Sequence, residues 1–348
     1  MEYEIELKLL TNEKAGEIIE KKLLPQLNAK VIQDTLKLTN HYFDTPNATL
    51  RQHKIGLRIR GNNKTFEQTL KTAGHSIGGL HQRPEYNVQL DEKKKHNVNV
   101  PDLRLFPLSA WPTTIDVDDL QHKITTLFTT HFERKIYLLE FSDGDIVELV
   151  WDLGEVRSGD KSVPICEIEL ELKKGSTRAL FDIAKRVVSL LPTSIGMHSK
   201  AALGYKLLED FPDKEREHYQ YFQHHQHHQP DNIKAEAEGF AGLLTTLLHD
   251  FQILSAEIRR QYSETLATNI KQVLLGLVDN VGRFSQHFPY SSFDNIQIQL
   301  KTLVNEWSLV VEHNNESAAN SLLVCTQTTQ LQLDIVQCLV ERSWVSKV

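Results

Sequence analysis

The chain has 348 residues, with 39 Lys and Arg against 46 Asp and Glu, a formal net charge of -7 at pH 7. That balance excludes a general affinity for nucleic acid or an anionic membrane, and a hydrophobic content of 40% suits sizeable cores rather than disorder. The first residues carry no basic-then-apolar leader and no apolar run reaches roughly 18 residues, so a cytoplasmic protein without a membrane span is expected.

In chain order, Tyr3 to Leu9 reads Y-E-I-E-L-K-L. Side chains alternate between the faces of a strand, so Ile5, Leu7 and Leu9 share one face and Glu4, Glu6 and Lys8 the other. A helix is predicted within Asn12 to Leu27. In H-Y-F-D-T, Asp44 stands at a turn, where it suits capping a backbone amide as well as touching a ligand. G-L-R-I-R-G then puts Arg58 and Arg60 opposite Leu57 and Ile59, T-L-K puts Lys71 two residues beyond Thr69, and R-P-E puts Arg83 and Glu85 on a common face.

Asp116, Asp118 and Asp119 read as a helix start, where the dipole favours acidic residues. F-E-R-K places Arg134 between Phe132 and Ile136, and V-E-L-V-W-D-L-G gives Glu148, read as a surface charge, the parity of Asp152. C-E-I-E-L-E-L-K repeats the opening alternation with Glu167, Glu169 and Glu171. A helix over Thr177 to Leu191 is stopped by Pro192. Residues 1–212 are therefore α+β and mostly antiparallel. A polar His/Gln-rich run makes 213–230 a linker, its histidines solvated. In 231–348 helical spacing over Ala235 to Tyr262, Leu266 to Ser285 and Ala318 to Val340 predicts an all-α bundle. Cys166, Cys325 and Cys338 lack CxxC spacing and read as buried free thiols. Neither GxxxxGK[ST] nor GxGxxG occurs, so any phosphate must be held by side chains.

The charges are sorted. Like charges side by side destabilise a sheet unless something positive lies between them, and a solvated face normally mixes signs. Here Glu4/Glu6 and Glu167/Glu169/Glu171 form acidic rows and Arg58/Arg60 a basic one, which favours an enclosed face and a ligand with two needs. A polyanion bound through a divalent metal has them: carboxylates hold the metal and guanidinium forks hold phosphate oxygens. Periodicity alone does not choose between inward and outward faces.

Taken together, E-I-E-L-K, H-Y-F-D-T, G-L-R-I-R, T-L-K, R-P-E, F-E-R-K, D-L-G, E-I-E-L-E-L-K and S-K-A-A-L-G-Y-K resemble, in that order over about 200 residues, the CYTH superfamily of triphosphate tunnel metalloenzymes. The resemblance implies an eight-stranded antiparallel β-barrel with flanking helices over 1–212. It implies hydrolysis of inorganic triphosphate, or another short polyphosphate, to pyrophosphate and phosphate, with Mg²⁺ or Mn²⁺ as cofactor. Thiamine-triphosphate hydrolysis or class IV adenylate cyclase activity is the alternative, and non-catalytic polyphosphate binding a further one. Carried onto this chain, it implies that Glu4, Glu169 and Glu171 hold metal, with Glu6 and Asp152 holding a second metal or orienting water. Lys8, Arg58, Arg60, Lys71, Arg83, Arg134 and Lys200 would contact phosphate, Lys8 joining Glu6 and Asp152 in the catalytic set. Glu85 and Glu167 would orient neighbouring arginines. Leu203 stands where the family pattern leads one to expect an arginine. Residues 231–348 are similar to a divergent or truncated CHAD module, whose partner the sequence does not define.

Overall fold

The computed structural model describes residues 2–62, 65–90, 100–208, 233–287 and 291–342. The segment read as a linker, 213–230, lies outside the described residues, and so do its histidines. By contacts the chain divides into two compact units. One takes the residues up to Ser76, His81–Leu180 and the residues from His198; the other takes Ile77–Leu80, Phe181–Met197 and the C-terminal helices.

The first unit is a closed β-barrel. Its strands are β1 (Glu2–Leu10), β2 (Ala29–Asp44), β3 (Gly56–Gly61) and β4 (Phe66–Lys71), then, after a short β5 (His75–Ile77), β6 (Leu80–Leu90), β7 (Thr125–Phe141), β8 (Ile146–Ser158) and β9 (Lys161–Lys174). The eight long strands run β1-β9-β8-β7-β2-β3-β4-β6 around the barrel, and β6 closes it by pairing with β1. Short helices punctuate it: α1 (Ala15–Ile18), α2 (Thr49–Gln52) and α3 (Val117–Lys123), the last beginning where the sequence predicts a helix start and capped by Asp116, which accepts from the amides of Asp118 and Asp119.

The barrel is polar inside and apolar outside. Leu57 and Ile59 of β3, Leu70 of β4 and Phe43 of β2 point outward into a core with Leu103, Phe106, Trp111 and Leu120 from the segment before β7. Removing such side chains from water supplies the driving force for closure, so the charged faces are left to the interior. Asp44 ends β2 fully buried and accepts from the amides of Thr45 (2.7 Å), Leu50 (2.8 Å) and Arg51 (3.0 Å) and from the Tyr205 hydroxyl (2.6 Å). It is a structural cap. Asp44→Ala strands four buried or half-buried donors, and we expect a loss of about 3 kcal/mol or more in urea denaturation.

α4 (Thr177–Leu190) follows β9, and α5 (Lys200–Leu207) comes next. α5 packs Tyr205 and Leu203 against Leu38, Phe128, Phe132, Val156 and Ile165, which fill one end of the barrel. Its Gly204 lies so close to Phe128 that an added Cβ would come within 2.1 Å of the ring, so a side chain there would push the helix out.

The helical unit holds α6 (Ile233–Arg260), α7 (Glu264–His287), α8 (Ser291–His313), α9 (Glu316–Leu323) and α10 (Thr326–Glu341). The single helix expected over Ala318 to Val340 is two. Cys325 adopts an extended backbone and its side chain caps α10, which interrupts the helical ladder after Val324. Of the three thiols only Cys338 is fully buried; Cys166 and Cys325 are half-buried, and all are free. Within this unit α10 also holds Phe181–Met197: Thr326 Oγ1 donates to the Val188 carbonyl (3.0 Å), Thr329 Oγ1 to that of Thr193 (2.6 Å), and Lys185 pairs with Asp334 (2.6 Å). Deleting residues from Asp231 onward removes these partners, so a fall of several degrees in melting temperature is the expected result. Among the described residues no helix is long and apolar enough to cross a membrane.

Candidate active site

Strand pairing converts separate alternations into one charged interior. Across β1 and β9, Glu6 lies opposite Glu171 and Lys8 opposite Glu169. Across β8 and β9, Glu148 lies opposite Glu171 and Asp152 opposite Glu167. Arg134 faces Asp152, Arg58 faces Tyr42, Arg60 faces Asn40 and Lys71 faces Glu85. Directly opposed residues on antiparallel strands share a face, so these side chains converge on a cavity of about 250 Å³. Among the described residues eight cationic and seven acidic side chains line it, including Glu4, Glu6, Lys8, Arg58, Arg60, Lys71, Arg83, Glu85, Arg134, Glu169, Glu171 and Lys200 from the residues singled out in the sequence. Asp152 and Glu167 lie behind that lining, fully buried.

The charges first satisfy one another. Lys8 Nζ donates to Glu167 (2.8 Å) and Glu169 (2.6 Å). Lys200, delivered by the first turn of α5, donates to Glu167 and Glu169 (3.0 Å) and pairs with Asp152 (2.6 Å). Arg134 makes a fork on Asp152 (2.8 and 2.7 Å) and reaches Glu169 (2.7 Å). Burial alone would lower the Lys8 pKa and raise those of Asp152 and Glu169. The facing opposite charges outweigh it, holding Lys8 well above the ordinary ammonium value, Asp152 below the usual carboxylate range and Glu169 well below it. Glu4 is also opposed by burial, yet Lys71 (2.5 and 2.7 Å) and Arg83 (3.1 Å) bring it down to about 2.

Two places depart from this balance. Glu171 has one close cation among the described residues, Lys173 at 2.7 Å, and lies between Glu6 and Glu148 in the strand register; burial pushes it up to about 7. Arg60 has no carboxylate within ion-pair distance among the described residues, and burial, with Arg58 and Arg134 nearby, lowers it to about 10. In addition, Arg58 Nε is buried without a hydrogen-bond partner among the described residues. The cavity thus offers an under-neutralised acidic row on one wall and incompletely satisfied guanidinium groups on another.

Asp152, Glu167 and Glu169 have ligand atoms all within 4.8 Å of one another, a set that could hold a metal ion. Oxygen-only carboxylate donors suit a hard divalent cation. Lys8, Lys200 and Arg134 already lie among these three, however, so an ion there would have to displace ammonium or guanidinium contacts. Glu6, Glu171 and Glu148 carry fewer cations and fit the same chemistry.

Residues 2–205 match the family model described as the CYTH domain. The chain belongs to the CYTH family. Over 207 residues it is 37% identical to the inorganic triphosphatase of Haemophilus influenzae, a match covering 59% of this chain and 54% of that protein, so the chain spans about half the length of this relative. A solved structure from Hippeastrum, described as an adenylyl cyclase candidate with a dominant triphosphatase activity, is 20% identical with a TM-score of 0.41, covering 58% of this chain and 95% of its own. The PH1819 protein from Pyrococcus horikoshii OT3 is 19% identical with a TM-score of 0.38, covering 60% and 99%.

Some residues of the CYTH cavity escaped sequence reasoning. Glu148, read as a surface charge, lines it, as does Lys173. Parity with Asp152 and with Glu171 carried the signal for both. Leu203, at the position where an arginine was expected, packs against the apolar cluster at the end of the barrel. Asn40 is fully buried beside Arg60 and became visible only when β2 was paired with β3.

Proposed function

We propose that this protein hydrolyses inorganic triphosphate to pyrophosphate and phosphate inside the barrel, with Mg²⁺ as the preferred metal and Mn²⁺ as a substitute. The observation that carries the reading is the small cavity with its acidic row and its incompletely satisfied arginines. At about 250 Å³ it lies below the roughly 300–1,000 Å³ of sites for drug-sized ligands, which favours a bare phosphate chain over a nucleotide or thiamine ester. Tyr42 is the one aromatic ring among its described lining residues, and that ring stacks on Phe128 (4.9 Å) rather than standing free for a base. The inorganic triphosphatase relative supports the same reading.

In this reading Glu6, Glu171 and Glu148 would hold the metal, which would neutralise phosphate charge and polarise the reacting phosphoryl group, while Glu4 stays paired with Lys71 and Arg83. Arg58, Arg60, Lys71 and Arg83 hold phosphate oxygens, Arg through bidentate contacts and Lys as a point charge. Asp152, Glu167 and Glu169 keep Lys8, Arg134 and Lys200 charged and fixed beside the substrate. Glu6 orients the attacking water, and Glu85 steadies Arg58 and Lys71, from which it lies 3.9 and 3.5 Å. The CHAD-like character of 231–348 and the cytoplasmic location belong to this proposal.

The test is phosphate release from triphosphate, thiamine triphosphate, ATP and longer polyphosphates across a metal series. Release confined to ATP or thiamine triphosphate, or equal rates with EDTA present, would sink the reading. Arg60→Ala is expected to raise KM for triphosphate about tenfold or more with the melting temperature little changed, since a hydrogen bond to a charged group contributes about 1.5–3 kcal/mol.

A further inference from the structure

We infer that Asn40 is a positioning residue, a buried neutral amide that aims the Arg60 guanidinium into the cavity while no carboxylate among the described residues pairs with it within ion-pair distance. Asn40 is fully buried on β2. Its Oδ1 accepts from Arg60 Nε at 3.0 Å, and its Nδ2 donates to Thr130 Oγ1 of β7 at 2.8 Å. Thr130 is fully buried too, so the amide is held between two strands and its own freedom is small.

The other cavity arginines are steadied by carboxylates: Arg83 by Glu4 and Glu6, Arg134 by Asp152 and Glu169, and Arg58, more distantly, by Glu85. Each must share its charge between that partner and an incoming anion. A buried guanidinium needs a hydrogen-bond acceptor to be oriented, and an amide oxygen supplies one without supplying charge. Arg60 is thereby fixed by its Nε while its charge stays available to phosphate. An aspartate of the same shape would fix it equally well and neutralise it. The amide, rather than mere buried polarity, is what the inference turns on, and it rests on the triphosphate reading of the cavity.

Asn40→Asp tests it, because Thr130 can donate its hydroxyl to the new carboxylate instead of accepting. KM for triphosphate is expected to rise about tenfold with kcat within about threefold, and the triphosphate concentration giving half the maximal thermal shift should rise in parallel. In the Arg60→Ala background the same substitution should change KM less than about twofold, since its effect passes through Arg60. An unchanged KM in the wild-type background, or an equal rise in both backgrounds, overturns the inference. Should Asn40→Asp fail to fold, Thr130→Val removes the amide's second hold; a KM rise of a few-fold that vanishes without Arg60 supports the inference, and no rise overturns it. Triphosphate that stabilises the wild-type protein but is not hydrolysed sinks the proposed reaction alone, and the shift midpoints still judge Asn40. Triphosphate that does not stabilise the wild-type protein sinks both.

Discussion

Glu171→Gln is expected to raise the melting temperature of the metal-free protein at pH 8 and to remove most metal-dependent turnover. Burial pushes Glu171 up to about 7 from its ordinary 4.5, so between those pH values the folded protein keeps a proton that the unfolded chain has released. Stability therefore falls as pH rises through that window, and the full cost is present above about pH 7. At about 1.4 kcal/mol per pH unit the cost is at most about 3 kcal/mol, and the quarter of the side chain exposed to water reduces it. Glutamine keeps the shape without the charge. The variant should melt several degrees higher at pH 8 in EDTA and converge with wild type near pH 5. Its activity should need far more Mg²⁺, because the charge that destabilises the empty cavity is the charge that would hold the metal. A lower melting temperature at pH 8, or a near-normal rate at low Mg²⁺, would contradict this account of the acidic row.

Lys200→Met is expected to be the most destabilising single change in the cavity. Its ammonium contacts Asp152, Glu167 and Glu169, all of them buried or nearly so, and loss of one partner of a buried ionic cluster costs about 3–5 kcal/mol. In wild type Asp152 and Glu169 are held below their ordinary values, and Lys200 above its own 10.5. The carboxylate contribution is thus present above about pH 4.5 and lost as pH falls through the depressed values. That of the lysine is complete below 10.5 and lost at still higher pH. Without the ammonium the stranded carboxylates are relieved by protonation, so the deficit against wild type should narrow from pH 7 to pH 4. Urea denaturation at the two pH values measures it. Lys21→Met, which breaks the exposed Lys21–Glu17 pair, is the control and should leave the urea midpoint almost unchanged. Equal costs for the two lysines would mean that the interior network contributes no more than a surface pair.

How much of this was legible follows from the range of each interaction. Two-residue alternation is local, so Glu4, Glu6 and Lys8, Arg58 and Arg60, and Glu167, Glu169 and Glu171 could be sorted onto faces without a structure, and the acidic cluster from Asp116 could be read as a helix start. The break at Cys325 was hidden because apolar spacing runs straight across it, while the capping side chain that ends one helix and begins the next depends on backbone geometry. Asn40 was hidden because nothing near it in the chain marks it; its partners Arg60 and Thr130 come from other strands, 20 and 90 residues away. By itself, then, the sequence determined which residues share a face, that the charges are segregated by sign, and that the first part of the chain is strand-rich and the last part helical. Only the tertiary structure decided that the charged faces look inward. Closure pairs β1 with β6 and buries the apolar faces outside, and contacts such as Lys8 to Glu169, 161 residues apart, arise from strand register rather than from any local period.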